Sequence, residues 1–350
     1  MKITLILLFT VAITALLSCE NSEDNFTTQQ NKANWIKEAF STLESGKYPR
    51  IKAISWWHEN FDKSELKVNS SQESLRAYRE GVNSSTFVTK PLFSSNKLIA
   101  PSVGIYHAAY PDFGGTEDIV ASSKIYNYES LVNKDITWAY FSNNWYDSIT
   151  FPKDEIDSII SCKKLPFIRM MARTEFSEGK ADKNYTMQKI IDGEFDIELT
   201  KWAQDAKACD APLLVEFGTE VNGNWFPWNG EYNGAGTKDL YGKQNEFDGA
   251  ERFRDAYRHI IDIFRSERVD NITWFFHVDA YSEPEVDWNR FELYYPGDDY
   301  IDWLGVSIYG PQERGDEYQD FSEILADIYP RLVSLSNKPI AILEFAITEI

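Results

Sequence analysis

Two glutamates stand at the ends of two apolar runs, and their placement suggests a pair of working carboxylates. Glu220 follows the run 214–217 and opens a loop rich in Asn, Gly and Trp, whereas Glu344 closes the run 340–343. A charged group after so apolar a run needs a partner or a purpose. Retaining glycosidases use one carboxylic acid to protonate the leaving oxygen and one carboxylate to attack the anomeric carbon. The pair predicts that chemistry, although a solvated loop glutamate or a structural ion pair explains either residue alone equally well.

The elements that must position these carboxylates follow a repeating pattern. Beyond residue 97, short apolar runs alternate with longer stretches of helical spacing, which is typical of βαβ units. The predicted strands are 98–106, 136–141, 166–171, 212–217, 272–278, 301–308 and 339–344. In a (β/α)8 barrel, residues just past the carboxyl ends of the strands face the active site. The fourth and seventh of these strands would therefore place Glu220 and Glu344 across one barrel mouth.

Seven strands do not close a barrel of this type, which needs eight. The N-terminal part supplies the missing unit, because residues 31–46 and 71–80 have helical spacing and residues 51–57 read as a strand. We therefore predict a single (β/α)8 barrel over residues 31–350, circularly permuted, with residues 31–80 contributing its last βα units. The alternative is a separate region over residues 31–96, but an incomplete barrel would leave two bare strand edges.

Several motifs resemble glycoside hydrolase family 26, a group of barrel enzymes best known as endo-β-1,4-mannanases. The run EVNGNWFPW at 220–228 is similar to the family's acid/base motif, and Glu344-Phe345 is similar to its nucleophile motif. Residues 295–305 resemble the run into the family's sixth strand. Residues 48–57 resemble its eighth strand, which normally follows the nucleophile, and this resemblance supports the permutation.

The resemblance implies roles for individual side chains. Glu220 would be the general acid/base and Glu344 the nucleophile, with Tyr309 hydrogen-bonded to the nucleophile. Thr219 stands where the family has a histidine, which puts mannan specificity in question. The predicted substrate-binding residues are Trp56 or Trp57 as a stacking platform, Trp225, Trp228 and Asn222 near neighbouring subsites, and His277, for which a satisfied strand-end histidine is the equal alternative. Arg169 or Arg173 could orient a carboxylate or a sugar hydroxyl.

Composition limits the classes of molecule that the protein is expected to bind. The formal net charge of −20 argues against nucleic acid and favours a neutral polysaccharide, and aromatic residues, which suit sugar faces, make up 15% of the chain. We expect a retaining hydrolase without cofactor or metal, acting as a monomer on β-1,4-mannan first, then on β-1,3-xylan or mixed-linkage β-glucan. A non-catalytic glycan-binding surface lipoprotein and a transglycosylase remain alternatives.

The N-terminus predicts export and lipid anchoring. Lys2 precedes an apolar stretch that ends in Leu16-Leu17-Ser18-Cys19, which resembles a bacterial lipobox. Residues 1–18 would be a lipoprotein signal peptide, Cys19 the acylated residue and 19–30 a flexible tether. The acidic residues after Cys19 resemble the surface-export signal of Bacteroidetes lipoproteins, so we expect the outer membrane cell surface. Cys162 and Cys209 read as buried apolar residues, with a disulfide between them left open.

Overall fold

The computed structural model describes residues 31–61 and 63–349. The predicted signal peptide, Cys19 and the predicted tether therefore lie outside the described residues. Within the described part of the chain, no helix is both long enough and apolar enough to cross a membrane.

Eight parallel strands form a closed barrel, which confirms the predicted (β/α)8 fold. They are β1 (Ile51–Trp57), β5 (Ile105–Tyr110), β6 (Trp138–Asn144), β7 (Leu165–Met171), β8 (Leu213–Phe217), β9 (Ile272–Asp279), β10 (Trp303–Tyr309) and β11 (Ile340–Ala346). Each strand pairs with the next in chain order, and β1 pairs with both β11 and β5, which closes the ring. The strands read as nearly continuous apolar runs because both of their faces are buried.

The N-terminal segment completes the barrel in the way that its sequence predicts. Helix α1 (Lys32–Glu44) packs against α2 (Gln72–Val82) on one side and α8 (Phe321–Leu335) on the other. The buried face of α1 includes Trp35, which contacts the rings of Phe321 and Phe345. This helix therefore fills the place between the last helix and the helix that follows β1. Whether this order is a circular permutation of the family's barrel stays a prediction.

The remaining helices surround the barrel. They are α3 (Ser122–Val132), α4 (Lys153–Ser161), α5 (Met187–Ile191), α6 (Asp196–Cys209) and α7 (Asp248–Ser266), with 3-10 turns at Gly230–Asn233, Asp287–Asn289 and Phe291–Tyr294. Local sequence sets several of their ends. Helix α8 starts with a capping box in which Asp320 and Glu323 satisfy each other's backbone N–H groups. Helix α6 ends at Asp210 in the left-handed conformation.

The strand predicted at 98–106 is two separate elements in the structure. A short antiparallel hairpin, β3 (Leu92–Ser94) and β4 (Lys97–Ile99), precedes β5, and two residues at Phe87–Val88 form the short strand β2. The backbone N–H of Leu98 donates to Thr273 near the start of β9, and Lys97 pairs with Asp302 just before β10. The hairpin therefore covers the amino-terminal end of the barrel. The prediction was wrong because Leu98 is buried beneath the barrel in this hairpin. In the sequence, a buried apolar residue of such a hairpin cannot be distinguished from a buried residue of a barrel strand.

Aromatic side chains occupy much of the barrel interior. The ring of Phe275 lies 4.7 Å from that of Phe167 and 5.6 Å from that of Trp303, and Trp138 contacts Phe167 as well. Polar side chains meet instead toward the carboxyl ends of the strands, as is usual in barrel enzymes. Cys162 and Cys209 are both free, which settles the disulfide that the sequence left open.

Candidate active site

A tight turn after β8 aims Glu220 across the barrel mouth. Gly218 has a φ of +73° and Glu220 a φ of +47°. A Cβ on Gly218 would lie 2.3 Å from the ring of Phe253, so the turn requires glycine for space as well as for conformation. The left-handed backbone at Glu220 is uncommon for a residue other than glycine, and such positions cluster at functional sites.

Glu344 lies on β11 and faces Glu220. Both side chains are almost fully buried, with 6% of Glu220 and 4% of Glu344 exposed. One carboxylate oxygen of each lies within 4.8 Å of the other. Retaining glycosidases hold their two carboxyl groups about 5–5.5 Å apart, whereas inverting enzymes leave room for a water at about 6.5–9.5 Å. The spacing observed here matches the retaining arrangement.

Glu344 is held by one hydrogen bond and one ion pair. The hydroxyl of Tyr309 donates to Oε2 of Glu344 at 2.8 Å. Nη2 of Arg169 lies 3.4 Å from Oε1, the other carboxylate oxygen, which is buried without a hydrogen-bond partner. Both contacts favour the ionised carboxylate.

Glu220 has weaker support for a negative charge. The indole N–H of Trp225 donates to Oε2 of Glu220 at 2.7 Å, and this donor carries no charge. The nearby Asp279 carboxyl disfavours a second negative charge beside it.

The electrostatics of the pair follow from these contacts. Burial raises the pKa of Glu220 to about 8, and the charge of Asp279 adds to the effect. Burial also raises the pKa of Glu344 to about 8, with Arg169 acting against it and Glu220 adding to it. Two carboxyls this close titrate as a pair, so one proton is retained at neutral pH. Because Glu344 has both the guanidinium and the phenol, the shared proton belongs on Glu220.

Arg169 is a buried cation that contacts the acidic side chains of the site. Its side chain is 2% exposed and donates through Nη1 to Glu117 at 2.7 Å. Nε lies 3.7 Å from Glu216, whose side chain is fully buried on β8. The guanidinium also lies 5.1 Å from the ring centre of Trp57. Three carboxylates around one cation raise the pKa of Arg169 further, so it stays charged.

Glu216, Glu117 and Asp279 are site residues that the sequence analysis missed. Glu216 carried a usable signal, since a glutamate inside the apolar run 213–217 must be paired when that run is a buried strand. Glu117 and Asp279 carried no such signal in the sequence, because Glu117 lies in a loop and Asp279 ends a strand. Only the fold brings them to the barrel mouth.

The carboxylate pair opens into a cleft with aromatic walls. A cavity of about 240 Å³ is lined by Trp57, Phe61, Trp225 and Phe226 among others, with both glutamates at its base. It adjoins a second cavity of about 320 Å³ through Trp225 and Tyr309. The ring of Trp57 is stacked on Tyr110, and Phe61 is 43% exposed above it. These surfaces suit stacking against sugar rings.

Three of the predicted substrate-binding side chains are buried and contact other parts of the protein. Trp56 is fully buried against Tyr78 and Phe345, so only Trp57 lines the cleft. Trp228 is fully buried and donates to the carbonyl of Thr219. Asn222 is fully buried and bonds the backbone of the 279–282 loop, which it braces.

His277 is also fully buried and is not among the side chains that line the cleft. Nε2 lies 2.9 Å from the hydroxyl of Ser307, and Nδ1 lies 3.0 Å from Glu216. The histidine nevertheless has a ring nitrogen within 4.8 Å of both candidate carboxylates. The alternative from the sequence, a satisfied strand-end histidine, describes its contacts better. Arg173, the other arginine considered, donates to Asn144 rather than to either glutamate.

Comparison with known proteins finds a family match over part of the chain. The model of glycosyl hydrolase family 26 matches residues 177–345, which include both candidate carboxylates. Over these residues the chain is similar to glycoside hydrolase family 26. Endoglucanase H of Acetivibrio thermocellus is 32% identical over 169 residues, which cover 47% of this chain and 17% of that protein.

Further known proteins are also similar to this chain. A β-1,3-xylanase of Alcaligenes is 28% identical over 130 residues, covering 37% of this chain and 23% of that protein. The mannan endo-1,4-β-mannosidase A and B of Caldalkalibacillus mannanilyticus is 29% identical over 128 residues, covering 36% of this chain and 20% of that protein. This chain thus spans less than a quarter of the length of these curated relatives. A solved family 26 β-mannanase of Bacteroides ovatus is 16% identical with a TM-score of 0.42, covering 90% of this chain and 76% of that one.

Proposed function

We propose that this protein is a retaining glycoside hydrolase that cleaves a β-linked polysaccharide, with Glu344 as nucleophile and Glu220 as general acid/base. The observation that carries the proposal is the pair of buried carboxylate oxygens within 4.8 Å of each other at the barrel mouth. A binding protein does not need two opposed carboxylates at this spacing.

In the first step, Glu220 in its protonated form gives its proton to the glycosidic oxygen while Glu344 attacks the anomeric carbon. Oε1 is the attacking oxygen in this scheme, because Oε2 already accepts the Tyr309 hydrogen bond and Oε1 is buried without such a partner. The bond from the anomeric carbon to the leaving oxygen breaks, and a glycosyl ester forms on Glu344.

In the second step, Glu220 is a carboxylate and removes a proton from water. The water oxygen attacks the same anomeric carbon and the ester bond to Glu344 breaks, which restores both side chains. Two inversions at one carbon give net retention. The indole N–H of Trp225, 2.7 Å from Glu220, holds the carboxylate in reach for both steps.

The substrate that we place first is a β-glucan, ahead of the β-1,4-mannan that the sequence favoured. Endoglucanase H is the relative with the higher identity and the longer match, and its name describes action on a glucan. The hydroxyl of Thr219 donates to Glu216 and the side chain is 1% exposed, so it does not replace the substrate contact of the family's histidine. The adjoining cavities form a cleft longer than the carboxylate pair, which favours internal cleavage.

The test is a reducing-end assay of the purified protein on β-glucan, β-mannan and β-1,3-xylan, with the anomeric form of the first product followed by NMR. We expect release from one polymer with the β-anomer formed first. Glu344→Ala should abolish release, and Glu80→Ala, on the exposed side of α2, should leave it unchanged. An α-anomer as first product, or activity that survives in Glu344→Ala, would contradict the assignment. Glycan binding without release would favour the binding lipoprotein.

We also propose that the protein is lipid-anchored at Cys19 on the cell surface with its cleft close to the anchor. The side chain of Lys32, at the start of α1, donates to the carbonyls of Glu65 and Lys67 in the loop after β1, on the side of the barrel mouth. The proposal is supported if the protein is labelled by palmitate in cells, if the label is lost in Cys19→Ala, and if protease added outside intact cells digests the protein. Labelling that persists in Cys19→Ala would contradict it.

A further inference from the structure

Arg173 is a buried arginine without an acidic partner. The residue follows β7, and its side chain is 2% exposed. Nε donates to Oδ1 of Asn144 at 2.8 Å, but Nη1 and Nη2 have no hydrogen-bond partner among the described residues. No ion pair joins Arg173 to a described carboxylate, whereas the equally buried Arg169 pairs with three. Because a buried charge is costly unless it is paired, Arg173 is suited to pair with an anionic ligand.

The guanidinium of Arg173 lines a cavity of about 480 Å³. The other lining residues come from the loop after β7, between Thr174 and Asn184, and from Pro227. Sites for small molecules commonly measure about 300–1,000 Å³. A ligand of the size of one sugar therefore has room in this cavity beside Arg173.

Three side chains fix the position of the guanidinium. It lies 4.5 Å from the ring centre of Phe176 and 5.8 Å from that of Phe226, and Asn144 holds Nε. The two nitrogens that remain, Nη1 and Nη2, can donate side by side to the two oxygens of one carboxylate. A carboxylate therefore suits this arginine better than a neutral hydroxyl does.

The acidic side chains of the cavity have partners of their own. Glu175 forms an ion pair with Lys180. Asp182 accepts hydrogen bonds from the backbone N–H and the hydroxyl of Thr174, each at 2.7 Å. Lys183 adds another positive charge to the lining. The charge left without a partner in the cavity is therefore positive.

Two further carboxylates act on Arg173 from outside this cavity. Glu117 is already paired with Arg169 at 2.7 Å, and Glu178 lines the catalytic cleft. Burial lowers the pKa of Arg173, although both carboxylates act against it. An arginine keeps its charge even so. The protein therefore compensates this buried charge only in part.

The cavity adjoins the catalytic cleft. Phe226 lines the cleft, and Pro227, the next residue, lines the cavity. The ring centre of Phe226 lies 6.0 Å from the guanidinium of Arg169 and 5.8 Å from that of Arg173. The cavity is thus one aromatic side chain away from the catalytic site, within reach of a side group on a sugar chain in the cleft.

We propose that Arg173 forms a subsite for the carboxylate of a uronic acid side group on the polysaccharide whose main chain lies in the cleft. The inference rests on the proposed function, since it names a feature of the substrate of that reaction. Arg173 binds the side group and not the reacting atoms, so it determines specificity. The net charge of −20 acts against a polymer with a charge on every sugar, so we expect acidic side groups on a largely neutral main chain.

The experiment measures the binding of methyl β-glucuronide and methyl β-glucoside to the purified protein by NMR titration. The two probes differ only in a carboxylate in place of a hydroxymethyl group. A hydrogen bond to a charged group changes affinity by about tenfold to a hundredfold, so the wild-type protein should bind the glucuronide at least about tenfold more tightly. Arg173→Gln should remove this preference. Arg173→Lys, which keeps the charge but not the two parallel donors, should keep only part of it.

Arg76→Gln is the matched control, because Arg76 lies on the exposed side of α2 and its loss should leave the full preference. Circular dichroism checks that each variant folds, and the comparison of the two probes on the wild-type protein needs no variant. Equal binding of the probes to the wild type, or a preference that survives in folded Arg173→Gln, would overturn the inference. Tighter binding of glucose 6-sulfate than of the glucuronide would refute the choice of a carboxylate.

The binding measurement does not need turnover, so it separates the subsite from the proposed function. A glucuronide preference that depends on Arg173, in a protein that hydrolyses no β-glycan, would refute the proposed function and leave the subsite standing. Hydrolysis of a neutral β-glycan by a protein without this preference would refute only the subsite.

Discussion

Replacing Tyr309 with phenylalanine removes one hydroxyl group from the site. The lost hydroxyl donates to Oε2 of Glu344 at 2.8 Å, while Arg169 remains 3.4 Å from Oε1. Glu344 is 4% exposed, so solvent does not replace the donor. The substitution therefore tests how far one hydrogen bond controls the ionisation of the proposed nucleophile.

The magnitude follows from the charge on the acceptor. A hydrogen bond to a charged group contributes about 1.5–3 kcal/mol, and one pKa unit corresponds to about 1.4 kcal/mol. The Tyr309 hydroxyl stabilises the anion of Glu344, so its loss raises the pKa of Glu344. With Arg169 still in place we take the lower end of this energy range, so the pKa of Glu344 should rise by about one unit. The acidic limb of kcat/KM should move upward by that amount, and the rate at the optimum should fall about tenfold.

The assay is a kcat/KM profile between pH 4 and pH 10 on the polymer that the wild-type protein cleaves. Tyr318→Phe is the matched control, because its hydroxyl donates to Asp320 at the start of α8. Circular dichroism confirms the fold of both variants. A folded Tyr309→Phe protein whose acidic limb and rate match those of Tyr318→Phe would refute the role of this contact.

Three further predictions follow from the same geometry. Glu220→Ala should lower the rate on polysaccharide by about 10²–10⁴, and added azide should restore turnover of an activated aryl glycoside as a β-glycosyl azide; an α-azide would refute retention. Arg169→Met leaves three buried carboxylates without their cation, so the free energy of unfolding in urea should fall by about 3–5 kcal/mol, and a loss below 1 kcal/mol would contradict the buried network. Gly218→Ala should cost about 2–4 kcal/mol in the same assay, because left-handed backbone and a 2.3 Å approach to Phe253 both oppose a Cβ. Gly46→Ala, at a similar φ but in open space, should cost only about 1 kcal/mol, and equal losses would show that packing contributes nothing.

The sequence alone determined the fold and the two central carboxylates. Apolar runs separated by helical stretches indicate parallel strands, because strands buried on both faces carry no polar alternation. The strand at 51–57 closes the barrel as predicted, since it has the same composition as the others. Glu220 was found because it follows a buried strand and Glu344 because it lies near the carboxyl end of another, and all strand ends of a parallel barrel meet at one mouth. The hydrogen bond of Tyr309 to Glu344 is also present.

Only the tertiary structure decided which neighbours of these residues face the cleft. Adjacent Trp56 and Trp57 look equivalent in sequence, yet the alternation of side chains along β1 turns one toward the surrounding helices and the other toward the barrel mouth. Trp228 and Asn222 share a loop with Trp225 but are buried by its fold. Loop residues carry no periodic pattern, so their orientation is invisible before the chain is folded.

The partners of the buried charges were likewise decided by the fold. Arg169 on β7, Glu216 on β8 and Glu344 on β11 are far apart in sequence and meet through barrel closure. Sequence required that a glutamate within a buried strand be paired, but it did not name the partner. Which carboxylate holds the proton depends on distances of a few ångströms to Arg169 and Tyr309, because electrostatic and hydrogen-bond energies in a buried site change steeply over that range. Those distances exist only in the folded protein.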